Sequence, residues 1–373
     1  MSIDTLLAVQ AGRFSRNLDD YVYDYAQNGL PGGDVLSNTY VVCSSMEKTI
    51  KIAVVHDWLV TYGGAERTLR SILSVFPHAD VYTMVDYLPE QDRGFLQGHQ
   101  VFTSALQRFP WARRHYRAYL PIMPFLVEQF DLSKYDVVVS SSHAVAKGVL
   151  TGPDQLHLSY IYSPMRYAWD MQSQYLNQNK RGKGVSGLLR RYLLYRLRFW
   201  DARSANGVDQ FYAISQYISR RVRKIYRRES QVLYPPVDTE SFTLSEQPRE
   251  DYYVTASRFV PYKRIDLIID TFSDLPSRKL VVIGDGPDFK NLAQKNLPSN
   301  IQLLGHQPQE TLVSYLQKAQ AFIFAAQEDF GIAPLEAQAC GTPVIAYAKG
   351  GSCLLYTSPS PRDRQKSRMP SSA

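Results

Sequence analysis

Two cations and two carboxylates are the residues best placed to do chemistry. Arg258 and Lys263 stand five residues apart in "SRFVPYKRID", and Glu328 and Glu336 stand eight apart in "EDFGIAPLE". Arginine grips phosphate with a two-pronged contact and lysine binds it as a point charge, so the first pair suits a diphosphate. A solvated surface pair is the plain alternative. Glu336 is placed to accept hydrogen bonds from ribose hydroxyls, and Glu328 from the hydroxyls of a sugar. Paired carboxylates also serve glycoside hydrolysis. Here one lies on a loop and the other in the helix that follows, so nothing in the spacing sets both on one scissile bond.

The elements around them follow from the apolar pattern. "AFIFAAQEDFGIAPLEAQACGTPVIA" reads as a strand over 321–326, an acidic turn over 327–330, a helix opening near Pro334 with Glu336 in its first turn, and a strand over 343–346. A strand-turn-helix leaves free backbone N–H groups at the helix start, where a phosphate or sugar oxygen can be held. Near the start, "IKIAVVHD" is a continuous apolar run, as expected of a parallel strand covered on both faces. "YGGAERTLRSILSVF" then turns through Gly63 and Gly64 into a helix. That glycine pair is either a tight connection or a place for close backbone approach to a ligand. "YDVVVSSSHAVAKGV" reads as a strand entering a polar loop with Ser140, Ser141, Ser142, His143 and Lys147. His143 there is either structural or part of a site. Further on, "KLVVIGDGP" ends in a Gly284-Asp285-Gly286 turn open to a nucleotide, and "IQLLGH" ends at Gly305 and His306. Strands alternate with helices twice over, which implies an α/β protein with two parallel sheets. Two Rossmann-like domains, joined near 236–250 beside a Pro-Pro turn, would face each other across a cleft.

Length and composition bound the rest. A chain of 373 residues with 45% apolar and 21% charged residues fits a two-domain globular protein. No apolar run is long enough to span a membrane, and no signal-peptide pattern opens the chain, so a cytoplasmic location is expected. Cys43, Cys340 and Cys353 are scattered, with neither a disulfide framework nor a metal-ligand spacing. Residues 1–45 read as a disordered leader or mis-called start, because Met46 directly precedes the first strong strand. Residues 353–373 open with "CLLYTSPSPRD", which resembles a translated sequencing-library adaptor, and read as a non-native tail. That leaves a first domain over 46–238 and a second over 239–352. The leader's net −3 and the tail's net +3 cancel, so 46–352 keeps the whole +7.

The charge is concentrated. Residues 180–228 hold 14 Lys or Arg against Asp201 and Asp209, with Tyr192, Tyr195, Phe199 and Trp200 interleaved. A basic helix of this kind reads as an anchor on an anionic membrane surface, with a solvated helix packed on the core as the alternative. No nucleic-acid motif accompanies the charge. Arg108, Trp111, Arg113, Arg114 and Arg117 form a second basic cluster.

Taken together and in order, "YGGAER", "YPPVD", "SRFVPYKRID", "VVIGDGP", "LLGH" and "EDFGIAPLE" resemble the family 4 retaining glycosyltransferases of the GT-B fold, over nearly all of 46–352. The run "HDWLVTYGGAERTL … SSSHAVAKGV … SPMRYAWD" is closest to O-antigen and exopolysaccharide mannosyltransferases that use GDP-mannose. The resemblance implies that Arg258 and Lys263 hold the donor diphosphate and that Glu328 contacts the hexose. Phe330, Gly331 and Ile332 would present backbone to sugar and phosphate, and Glu336 would hold the ribose. Gly63 and Gly64 would approach the phosphate from the other domain. His143 would stand in the acceptor-side wall, and the base would lie near Gly305 and His306. It implies that 46–238 is the acceptor domain and 239–352 an incomplete donor domain, with a glycan or polyprenyl-linked acceptor, no cofactor and no metal. Tyr162 stands where relatives often carry His, and "AKGGS" is reached where relatives continue, so a C-terminally truncated domain is expected. A GT-B nucleotide-sugar epimerase and an inactive fragment are the competing readings.

Overall fold

A computed structural model describes residues 50–177, 184–294 and 296–351. The leader 1–45, the tail 353–373 and the first residues of the basic stretch lie outside the described residues. Among the described residues there are two sheets, both wholly parallel. The first holds β1 (Ile52–His56), β2 (Asp80–Thr83), β3 (Val101–Thr103), β4 (Val137–Ser142), β5 (Leu156–Ile161), β6 (Gln210–Ala213) and β7 (Gln231–Val232), in the order β3-β2-β1-β4-β5-β6-β7. The second holds β8 (Tyr253–Ala256), β9 (Leu280–Ile283), β10 (Ile301–Gly305), β11 (Ala321–Phe324) and β12 (Val344–Ala346), in the order β10-β9-β8-β11-β12. Each order reverses once, between β1 and β4 and between β8 and β11. Ligands of open parallel sheets sit at these reversals, outside the carboxyl ends of the strands.

The longer helices are α1 (Gly64–Val75), α2 (Gly184–Ser204), α3 (Gln216–Tyr226), α4 (Ile265–Ser273), α5 (Gln309–Lys318) and α6 (Ile332–Ala339). They cover the sheets, so the strands are apolar on both sides. In β1, Val54 packs into one buried cluster while Ala53 and Val55 pack into the cluster on the opposite face. In α1 the buried Leu69, Ile72 and Leu73 recur at helical spacing. The second sheet is likewise flanked by two clusters, and Phe242 already packs in one of them.

The elements depart from the sequence reading in three places. β3 is a strand of only three half-buried residues at the sheet edge, too short to give a period. Ser140, Ser141 and Ser142 are not loop residues: they complete β4 and are buried. Lys147 is also buried and turned away from the cleft, with its Nζ 2.8 Å from Asp201 Oδ1. Finally, α6 opens at Ile332 rather than near Pro334, because Gly331 takes a left-handed backbone (φ 92°) that lets the chain enter the helix at once. Pro334 falls in the first turn, where its missing N–H costs nothing. Glu336 therefore lies in the second turn, not the first.

Candidate functional site

The first half of the site is built at the β1/β4 reversal. Asp57 follows β1 and is fully buried. Its carboxylate accepts four consecutive backbone N–H groups, from His143 (2.5 Å), Ala144 (2.9 Å), Val145 (2.6 Å) and Ala146 (2.7 Å). It also meets His143 Nδ1 at 2.9 Å. Burial alone would raise this carboxyl, yet the His143 charge and the hydrogen bonds hold it well below the usual carboxylate range. Burial opposes protonation of His143, and Asp57 overcomes it, so the imidazole is raised. With Nδ1 turned to Asp57, Nε2 is the nitrogen free to meet a ligand. The ring is braced edge-on by Trp58, with centroids 4.6 Å apart.

Beside it the glycine turn is held from behind. Glu66 accepts the Gly63 N–H at 2.9 Å, and its Oε1 lies 3.7 Å from His56 Nε2. His56 Nδ1 in turn meets Ser141 Oγ at 3.0 Å, Ser141 meets the Tyr162 hydroxyl at 2.9 Å, and Tyr162 donates to the Ala65 carbonyl. Tyr162 thus closes a buried network around the start of α1.

The second half is built at the β8/β11 reversal. Lys263, in the loop after β8, makes a direct ion pair with Glu328, in the loop after β11. Burial and the Arg166 charge lower the Lys263 ammonium to about 8, and the Asp329 carboxylate pulls the other way. Arg258, on the same loop as Lys263, is exposed. Gly284 and Gly286 have a different reason from the one the sequence suggests. A β-carbon on Gly284 would lie 1.9 Å from the Ser257 carbonyl oxygen, and one on Gly286 2.4 Å from that of Phe259. The glycines admit the chain's own 257–259 segment, which carries Arg258. Gly284 also donates to the Gly305 carbonyl at 2.8 Å, tying together the two turns that precede the exposed His306.

The two halves meet. A β-carbon on Gly64 would stand 3.4 Å from Ile332 Cδ1, and Arg67 Nη1 lies 2.5 Å from Glu336 Oε1. Asp329 reaches the first domain through Arg166 (3.3 Å) and Arg221 (3.6 Å), and its backbone carbonyl accepts from Ser215 Oγ at 2.6 Å. Burial raises the Asp329 carboxyl against the pull of both arginines. Phe330 stacks on Tyr234, with centroids 5.8 Å apart, rather than facing open space. On the far side, the Gly351 N–H donates to the Glu328 carbonyl at 2.6 Å. The loop holding Glu328 is therefore fixed at both flanks. The sequence reading gave no role to Asp57, Glu66, Arg67, Arg221 or Asp329. Asp329 stands inside the quoted "EDFG" run, and Asp57 directly follows an apolar strand.

Known proteins agree with this frame. Among solved structures, Anabaena Alr3699/HepE in complex with UDP matches with a TM-score of 0.57 at 17% identity, over 82% of this chain and 83% of that one. TarM matches with a TM-score of 0.56 at 13% identity, over 82% and 86%. The fold is GT-B. Residues 237–357 match the family model of group 1 glycosyl transferases. An uncharacterized glycosyltransferase of Methanocaldococcus jannaschii is 28% identical over 158 residues, 41% of this chain and 44% of that protein. A D-inositol 3-phosphate glycosyltransferase of Mycobacterium sp. is 31% identical over 141 residues, 32% of each chain. The chain spans less than half the length of these curated relatives.

Proposed function

We propose that the protein is a retaining glycosyltransferase. It moves a hexose from a nucleotide-diphosphate sugar to a glycan or polyprenyl-linked acceptor in surface polysaccharide synthesis. One observation carries this reading: residues from opposite ends of the chain converge between the two sheet reversals. Lys263 bonds to Glu328, while Gly64 and Arg67 of the first domain meet Ile332 and Glu336 of the second. The family model over the donor half supports it, as does HepE, solved with UDP and with UDP-glucose.

In this reading the incoming diphosphate takes over Lys263, with Arg258 as the second cation, and Glu328 turns to the sugar hydroxyls it releases. Glu336 holds the ribose. His143 Nε2 meets the sugar or acceptor with its other nitrogen fixed by Asp57. The bond from the anomeric carbon to the phosphate oxygen breaks while the acceptor hydroxyl adds on the same face. The proton passes to the departing phosphate, whose charge Lys263 and Arg258 stabilise without a metal. Mannose from GDP-mannose is the first choice of donor, and the UDP complexes of HepE make UDP-glucose the second.

Transfer assays with GDP-mannose and UDP-glucose test this, run with and without EDTA. The expected result is turnover of one donor, insensitive to EDTA. Glu328→Ala should keep nucleotide binding and lose transfer by roughly 10²–10³-fold. Wild-type transfer by Glu328→Ala would remove its sugar role. Failure to bind any nucleotide-sugar at millimolar concentration would overturn the whole reading.

A further inference from the structure

Helix α2 carries a second surface that the transfer reading does not use. Val185, Leu188, Leu189, Tyr192, Tyr195 and Phe199 are 87%, 70%, 57%, 54%, 50% and 69% exposed. Their spacing places them on one side of a helix of 3.6 residues per turn. The opposite side is taken: Leu197 is buried, and Leu194 and Trp200 pack on the first domain's core. An outward stripe of large apolar side chains on a helix already packed along its other side marks an interaction surface.

The helix cannot roll to hide the stripe. Lys147 is buried beneath it, its Nζ 2.8 Å from Asp201 Oδ1, 3.0 Å from the Asp201 carbonyl and 2.7 Å from Ser204 Oγ. Trp169 Nε1 and the Tyr226 hydroxyl donate to the same carboxylate. Trp200 Nε1 donates to Glu128 at 2.7 Å, joining α2 to the 123–127 helix, where Phe125 is 64% exposed. Trp111, beside the exposed Arg113 and Arg114, is 78% exposed.

The charge identifies the partner. Asp201 is the only carboxylate in α2, and it is buried and paired with Lys147. What the helix shows to solvent is therefore cationic, with Arg191 and Arg196 exposed beside the stripe. At its far end the stripe opens on a groove of about 480 Å³ where Arg198 and Arg203 stand among Trp169, Tyr195 and Phe199. Aromatic and leucine side chains rimmed by arginine suit a bilayer interface with anionic headgroups. No helix among the described residues is long and apolar enough to cross a membrane, so the contact lies on the surface.

We infer that the stripe of α2 docks the protein on an anionic lipid bilayer. This stands apart from the transfer reading, since it needs no donor and is measured without one. Co-sedimentation of the full chain with vesicles of phosphatidylglycerol mixed with phosphatidylcholine, and of phosphatidylcholine alone, tests it. Binding to the anionic vesicles, weakened by salt, is expected. Arg191→Ala with Arg196→Ala should lower partitioning by about 30-fold. Leu188→Glu with Phe199→Glu should abolish it with the circular dichroism spectrum unchanged. Absence of binding to anionic vesicles at low salt overturns the inference, as does equal binding by the variants. A lipid-free dimer abolished by Leu188→Glu with Phe199→Glu would assign the stripe to a second copy of the chain instead.

Discussion

The two halves of the cleft use their carboxylates in opposite ways. Asp57 is satisfied by four backbone N–H groups and His143, all from one turn, with no partner that a ligand could replace. Glu328 has a side-chain cation, Lys263, and both side chains keep some exposure, 18% and 12%. The first arrangement makes a wall whose shape is settled before anything binds. The second is an ion pair that an anion and a hydroxyl can exchange for themselves. A site that must hold a reactive group still and also admit and release a charged substrate needs both kinds of contact.

If the contrast is right, damage to the two halves should register differently. The largest effect falls on the exchangeable side. Lys263→Ala should reduce transfer by roughly 10²–10³-fold in kcat while the urea midpoint barely moves. A collapse in stability instead would show that the pair is structural. On the fixed side the pattern reverses. Asp57→Ala leaves four N–H groups and a raised imidazole without their acceptor, and should cost about 3–5 kcal/mol in urea unfolding. A loss under about 1 kcal/mol would mean the wall is held by packing rather than by the carboxylate. The smallest effect sharpens the comparison through pH. The Lys263 ammonium, lowered to about 8, is charged below that value and neutral above it. Nucleoside diphosphate affinity, followed by calorimetry, should therefore be flat below pH 8 and fall above it. Lys263→Arg should stay flat across the range, since guanidinium does not deprotonate there.

Much of this was legible in the chain. Continuous apolar runs followed by helical periods announced two parallel sheets, and the loops after β1, β4, β8 and β11 were found because strand ends turn polar abruptly. β3 was missed because three residues carry no period. The helix start at Ile332 was missed because Pro334 is the louder signal and the left-handed turn at Gly331 shows only in three dimensions. The role of Asp57 was hidden for another reason. Its partners lie more than 80 residues away, and one carboxylate gathering four successive N–H groups leaves no side-chain motif at those positions. The glycines of the G-D-G turn were read from their freedom to approach a ligand, whereas their neighbour is the chain's own backbone.

The bolting of the Glu328 loop to the first domain bears on how such proteins could be recombined. Asp329 depends on Arg166 and Arg221, its carbonyl on Ser215, and Phe330 on Tyr234, all outside the five-stranded sheet that carries the loop. A second domain grafted onto a foreign first domain would arrive with Glu328 intact in sequence and adrift in space. Chimeras cut at the linker should work only when those four positions travel with the graft.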